Sequence, residues 1–444
     1  MMRGSNAEIS RRGFVVAAAA TAAACATAPI QPKPDPASGE ALYRLVQAYS
    51  DLGDHRTGSQ GDHATTRWLE RKLHDIGLTP QRQAWDMEAF DVTRSRLSWT
   101  GDHSEQSEIE GFPLWPPIPT PGDGLLAPLS ATPREGSVTV LTLPYSPAGS
   151  LESEGVVDAI NAACGSGAVG VAVLTEGPLG ELIALNTEFH QPRWPVPVLI
   201  VPGRSAATLS RLIERRTPVR LQIEGQVRPD TVHNVLGHRA RAGPGIVIST
   251  PKSGWFRCAG ERGSGMAVAL ALADWCARET ELDVRFVSAT GHEFHGEGAR
   301  RFLAADPPPP ETVALWVHIG ANVAVNEWQL DAGGTPVRRD TPLTRRGIAC
   351  HPALHAAVTA SFAGQLGYGA PINIGAGRVP GETQHFVDHG YSPLIGMVGA
   401  GPLHHTPADT AVATSPVVLE PVARGLIGVV QRFLEQQPQG DTRS

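Results

Sequence analysis

The sequence lacks the features that would place it in several common classes. It has five cysteines and no C-x-x-C pair. With Cys25 in the leader described below, Cys164, Cys258, Cys276 and Cys350 remain, too scattered for a disulfide scaffold or a cysteine-held zinc. No apolar run reaches the roughly 20 residues of a membrane span. The net charge of −7 is spread without any block of like charge or basic stripe, so the footprint of nucleic-acid binding or of a charged membrane surface is missing. The cluster "GHEFHGE" has His292 and His295 three residues apart, which is not the one-turn spacing of an H-E-x-x-H zinc helix. No internal repeat is visible. A small or peptidic partner fits what remains.

At 444 residues the chain exceeds the roughly 250–300 residues over which one core keeps growing, so a large domain and a smaller one are expected. The opening "ISRRGFVVAAAATAAACATAP" puts Arg11 and Arg12 before an alanine-dominated apolar run that ends in small residues. It reads as a twin-arginine export signal over 1–28, which directs the chain to the periplasm or outside the cell. Lipidation of Cys25 is the one route to a membrane. A Pro-rich linker fills 29–39, and 438–444 reads as a disordered tail.

The rest divides into 40–89, 90–228 and 229–437. The first part predicts two helices around a "HRTGSQGD" turn, with apolar positions at helical spacing in "TRWLERKLHDIGL". The middle part is Pro-rich and has short strands ("SVTVLTL", "AVGVAVLT", "VPVLIV") and one helix-like stretch, "VVDAINAACGSG". It reads as a small β-rich unit inserted into the larger domain. From 229 onward strands alternate with helices: "GIVIST", "GMAVALALADWCARE", "DVRFVSAT", "GARRFLAA", "TVALWVHI", then "ALHAAVTASFAGQLG", "PLIGMV" and a last helix from about Val417. That alternation predicts an α/β fold with a doubly wound, mostly parallel sheet.

In such a sheet, ligands bind outside the carboxyl ends of the strands. Polar clusters stand at those ends: Thr250, Lys252 and Glu261 after "GIVIST"; His292 and Glu293 after "DVRFVSAT"; His318 at the end of "TVALWVHI"; and His404, His405 and Asp409 after "PLIGMV". Carboxylates and imidazoles are ordinary zinc ligands.

The order and spacing of "GERGSG", "HEFHGEGA" and "HHTPADT" resemble metallopeptidase family 28, the zinc aminopeptidases, here with an inserted protease-associated domain carrying "INAACGSGAVGVAVLT". The "HRTGS" turn, which resembles the family's R-x-T-G-S, and the returning strand "VHNVLGHR" are similar to the same family. The resemblance implies the zinc aminopeptidase fold, with metal ligands falling on Glu261, Glu293 and His405. It also marks departures. Thr250-Pro251-Lys252 replaces an H-x-D motif, His318 stands in the place of a ligand Asp as a further candidate metal ligand, and His292 replaces the glutamate base. With two of one ion's three ligands altered, one zinc is expected, and the Lys252 ammonium is expected to occupy or neutralise the vacated region. His292 is base or ligand. His295, Glu382 and His404 are expected to support the site or face the substrate, as are Thr250 and Lys252.

Two readings follow. The first is an exported, single-zinc hydrolase that cleaves a peptide or other amide bond. The second is a catalytically inactive relative that binds a peptide or an envelope partner.

Overall fold

In the computed structural model, residues 35–101, 106–147, 149, 151, 155–187, 192–305, 307–375 and 377–436 are described. The export signal, Cys25, most of the linker and the tail lie outside them.

Helices α1 (Gly39–Ser50) and α2 (Gln60–Asp75) flank the predicted turn. Leu42, Val46 and Tyr49 recur at helical spacing and are buried on α1. The Ser59 hydroxyl caps α2 by accepting the Asp62 N–H. Strand β1 (Thr79–Thr100) follows, then β2 (Gln106–Glu110), β3 (Phe112–Pro113), β4 (Leu125–Ser130), β5 (Val138–Leu143), α3 (Val156–Gly165), β6 (Gly170–Thr175), β7 (Val198–Pro202), α4 (Ala206–Glu214) and β8 (Pro218–Arg239). The second half runs β9 (Gly245–Pro251), α5 (Ser264–Glu279), β10 (Asp283–Ala289), α6 (Glu297–Ala305), β11 (Val313–Ile319), β12 (Asn326–Leu330), β13 (Pro336–Pro342), β14 (Arg346–Cys350), α7 (His355–Ser361), β15 (Ile372–Asn373), α8 (Thr383–Asp388), β16 (Leu394–Gly399) and α9 (Pro416–Gln436).

Among the described residues one sheet runs in the order β15-β14-β16-β11-β9-β10-β8-β4-β5-β6-β7-β3, with β1 laid against β8 and β2 against β1. The neighbours β16, β11, β9 and β10 are all parallel. They are buried on both faces. Ile246 and Ile248 of β9 and Leu315, Val317 and Ile319 of β11 enter the core beneath α1, α5 and α9. Val247 and Trp316, one residue out of step, enter the opposite cluster with Phe302, Phe386 and Tyr391. Strands covered on both sides by helices read as continuous apolar runs for this reason.

The sheet does not stop at residue 90. Strands β1 and β8, each of 22 residues, pair antiparallel from Thr79–His238 to Ser98–Arg220, with one register shift between Val92 and Arg94. At one end β8 borders β10, and at the other it borders β4. The residues between these strands, together with the far ends of β1 and β8, form two further hydrophobic clusters. One is centred on Leu97, Leu174, Leu199 and Leu221, and the other on Ile160, Val171, Val173 and Ile200. The described residues from Pro36 onward nevertheless form one compact unit. No helix among the described residues is long and apolar enough to cross a membrane.

Candidate functional site

The parallel register of β16, β11, β9 and β10 brings their carboxyl ends to one edge, and the polar clusters gather there. A π-helical turn (Ala259–Gly263) enters α5 and buries Glu261. Asp409 clamps this turn by accepting the N–H groups of Gly260 (2.7 Å) and Glu261 (2.9 Å). Burial raises the Asp409 carboxyl to about 7, and the nearby Glu261 charge adds to the rise. His405 is held at φ +60°, a conformation uncommon outside glycine and met with at functional sites. Its Nδ1 lies 3.0 Å from the Ala184 carbonyl and donates to it, which leaves Nε2 as the nitrogen turned to Glu261. Gly149 packs on that ring, where an added Cβ would sit 2.4 Å from Nδ1.

His405 Nε2 lies 3.3 Å from Glu261 Oε1, and His404 Nδ1 lies 3.6 Å from Oε2. The two imidazoles stack at 3.8 Å. Glu261, His404 and His405 are the residues whose ligand atoms converge within 4.8 Å of one another among those described. Both Glu261 oxygens and His405 Nε2 are buried without a hydrogen bond. Buried polar atoms left without a hydrogen bond are costly unless a cation joins them.

A guanidinium stands there too. Arg262, buried next to its neighbour in sequence, places Nη2 2.6 Å from Glu261 Oε1, but neither Nη2 nor Nε and Nη1 is aligned for a hydrogen bond. Burial opposes ionisation of Glu261. The Arg262 charge, joined by the two histidines, overcomes that and holds the carboxyl well below its ordinary range. Sequence reasoning missed Arg262, although it adjoins a predicted ligand. A lone arginine in a polar loop reads as solvated surface.

The other predicted residues go elsewhere. Glu293 does not join the triad. Its carboxylate accepts the Thr57 N–H and the Ser253 hydroxyl (2.7 Å), and burial raises it toward the neutral form. The Lys252 ammonium turns to Asp62 on α2 in a fully buried ion pair. It therefore neutralises Asp62 and not Glu261, contrary to the expectation that it fills the vacated metal region. Thr250 is buried beside it with an unpartnered hydroxyl. His318 hydrogen-bonds Ser249 Oγ at 2.9 Å, and burial, with neighbouring His292 and Arg262, lowers it to about 4.

His292, in a short 3-10 turn after β10, meets Glu382 across 90 residues, Nδ1 to Oε1 at 2.9 Å. Burial alone would raise the Glu382 carboxyl. The His292 hydrogen bond, with His292, His318 and Arg262 close by, instead brings it to about 2. Burial lowers His292. An ionised Glu382 then fixes the Nδ1–H tautomer of a neutral His292 and leaves Nε2 as the proton acceptor. His292, His295, His318, Glu382, Arg262 and His404 all line one cavity of about 760 Å³.

Two buried histidines give the fold a pH dependence. His55, between Tyr49 O and Thr65 Oγ1, is lowered by burial to about 3, and His318 to about 4. Both folded values lie below the ordinary 6.5, so the unfolded chain takes up protons first as pH falls. Their contribution is complete above about pH 6.5 and is lost on acidification, with a slope of up to about 1.4 kcal/mol per pH unit for each group. Urea unfolding at pH 7.5, 5.5 and 4.5 is expected to show this decline, and a flat profile would refute it.

No family model matches this sequence, and no curated protein matches it. Solved structures do. An aminopeptidase from Aneurinibacillus sp. strain AM-1 matches at 17% identity and TM-score 0.60, over 89% of this chain and 93% of that one. BSAP, a zinc aminopeptidase from Bacillus subtilis, matches at 13% identity and TM-score 0.68, over 92% and 98%. A peptidase M28 precursor from Shewanella amazonensis SB2B matches at 16% and 0.67, over 91% and 97%. At these identities the likeness speaks for architecture, and the architecture is the mostly parallel α/β fold of the zinc aminopeptidases.

Proposed function

We propose that the protein is a peptidase-like hydrolase, exported by the twin-arginine route, with one zinc held by Glu261, His404 and His405. The observation that carries this reading is the group of buried polar atoms on Glu261 and His405 that make no hydrogen bond, with His404 stacked alongside. One carboxylate and two imidazoles suit zinc. A second ion is not expected, because the fully buried Lys252 ammonium, paired with Asp62, takes the place of a ligand motif. Zinc, when bound, supplies a Lewis acid that polarises the scissile carbonyl.

The chain's own residues do the rest. His292 Nε2 accepts a proton from the attacking water, and Glu382 orients the ring and stabilises the imidazolium that forms. Asp409 fixes the backbone of Glu261, and Ala184 O holds the His405 tautomer. The substrate is a peptide or small amide that lies in the cavity in front of His292.

A rival reading, a metal-free protein that binds a peptide or an envelope partner, has one observation in its favour: Arg262 already neutralises Glu261. Elemental mass spectrometry on the purified chain, before and after chelation, separates the two. One zinc per chain is expected, lost in His405→Ala. No zinc after reconstitution would sink the hydrolase, and two zincs would sink the single-ion site.

A further inference from the structure

The cavity in front of the triad carries a charge imbalance that the hydrolase reading does not use. Its described lining holds five arginines, Arg262, Arg300, Arg345, Arg346 and Arg378, against one acid, Glu382. Glu382 is matched by His292. Three arginines are also committed. Arg262 faces Glu261, with Nη2 2.6 Å from Oε1. Arg346 donates to the carbonyls of Val323 and Leu366, and Arg300 pairs with Glu297 at 2.6 Å.

Arg345 and Arg378 are exposed and make no side-chain hydrogen bond or ion pair with any described residue. Arg345 lies over the Tyr145 ring at 5.9 Å. At the buried end, Arg262 has three guanidinium nitrogens without a hydrogen bond. Two exposed guanidinium forks, unpaired among the described residues, leave this concave site with a net positive field that attracts anions. The planar fork of arginine matches a carboxylate.

We propose that this cavity selects a carboxylate-bearing peptide, with Arg345 and Arg378 as the groups that engage the carboxylate. The proposal rests on the reading of the cavity as the substrate site. The carboxylate comes from an Asp or Glu side chain or from a peptide C-terminus.

Three fluorescent peptides of equal length separate these cases: a neutral one with an amidated C-terminus, the same peptide with a free C-terminus, and an Asp/Glu-containing one with an amidated C-terminus. Binding is measured by anisotropy on the full chain, with zinc and with chelator. At least one carboxylate peptide is expected to bind about tenfold more tightly than the neutral amide. The preference should shrink as salt rises. It should vanish in the Arg345→Gln/Arg378→Gln double variant and persist in Arg211→Gln, an exposed residue on α4 outside the cavity.

Whichever carboxylate peptide binds names the source of the group. Equal binding of all three, binding of none, or a preference intact in the double variant would overturn the proposal. Carboxylate preference without zinc or turnover would leave it standing while removing the hydrolase. Turnover without that preference would do the reverse.

Discussion

Replacing Asp62 by alanine is expected to lower the unfolding free energy by about 3–5 kcal/mol, the range for removing one partner of a buried ion pair. The Lys252 ammonium is fully buried, and its charge partner is the Asp62 carboxylate on α2. That carboxylate also accepts the Thr290 hydroxyl and the Gly58 N–H, both at 3.1 Å. Truncation therefore strands a charge and two further donors in the interior. Lys252→Met is the informative partner variant, since methionine keeps most of the side-chain length and removes the charge. The double variant Asp62→Leu/Lys252→Met is expected to recover most of the loss, because apolar replacement of a whole buried pair is often close to neutral. Urea unfolding with unchanged m-values would establish this. A loss below about 1 kcal/mol in Asp62→Ala would show that the ammonium reaches another partner or water.

The largest effect on activity belongs to His292. His292→Ala should reduce kcat by about 10²–10⁴-fold, the usual contribution of a positioned acid or base, while zinc stoichiometry stays at the wild-type value. Glu382→Gln tests the positioning role separately. It keeps the imidazole but removes the carboxylate that stabilises its protonated form, and Glu382 is one of the groups raising His292. The acid limb of the rate profile should then move to lower pH, with a smaller loss of kcat than in His292→Ala. An unmoved limb would make Glu382 a packing residue. Zinc loss in His292→Ala would make His292 a ligand instead of the base.

The parallel part of the sheet was legible because β9, β10, β11 and β16 are apolar runs separated by helical periodicity. The strand-end clusters followed from that topology. The long pairing of β1 with β8 was not legible. "TPQRQAWDMEAFDVTRSRLSWT" is largely polar, and its register is set by a partner more than a hundred residues away. The β12–β13 hairpin, whose strands carry many exposed residues, was missed for lack of an apolar pattern.

At the site, Glu261 and His405 were within reach through the family resemblance of their motifs, whereas His404, expected to support the site or face the substrate, instead brings a ligand atom within 4.8 Å of theirs. The reassignment of Glu293 to Thr57 and Ser253 was not, since backbone N–H partners leave no trace in residue types. Lys252–Asp62 and His292–Glu382 are pairings across 190 and 90 residues, fixed by burial rather than by spacing.

The β1–β8 ribbon sets a rule for how this architecture can change length. Side chains alternate faces along each strand, so adding or deleting one residue in either strand would turn every later side chain to the opposite face. The distance between the cavity and the β-rich half is therefore quantised. It can grow or shrink only by two residues at a time, in both strands together, or by a bulge like the one between Val92 and Arg94. Any scheme that grafts a different module onto these two strands inherits that arithmetic.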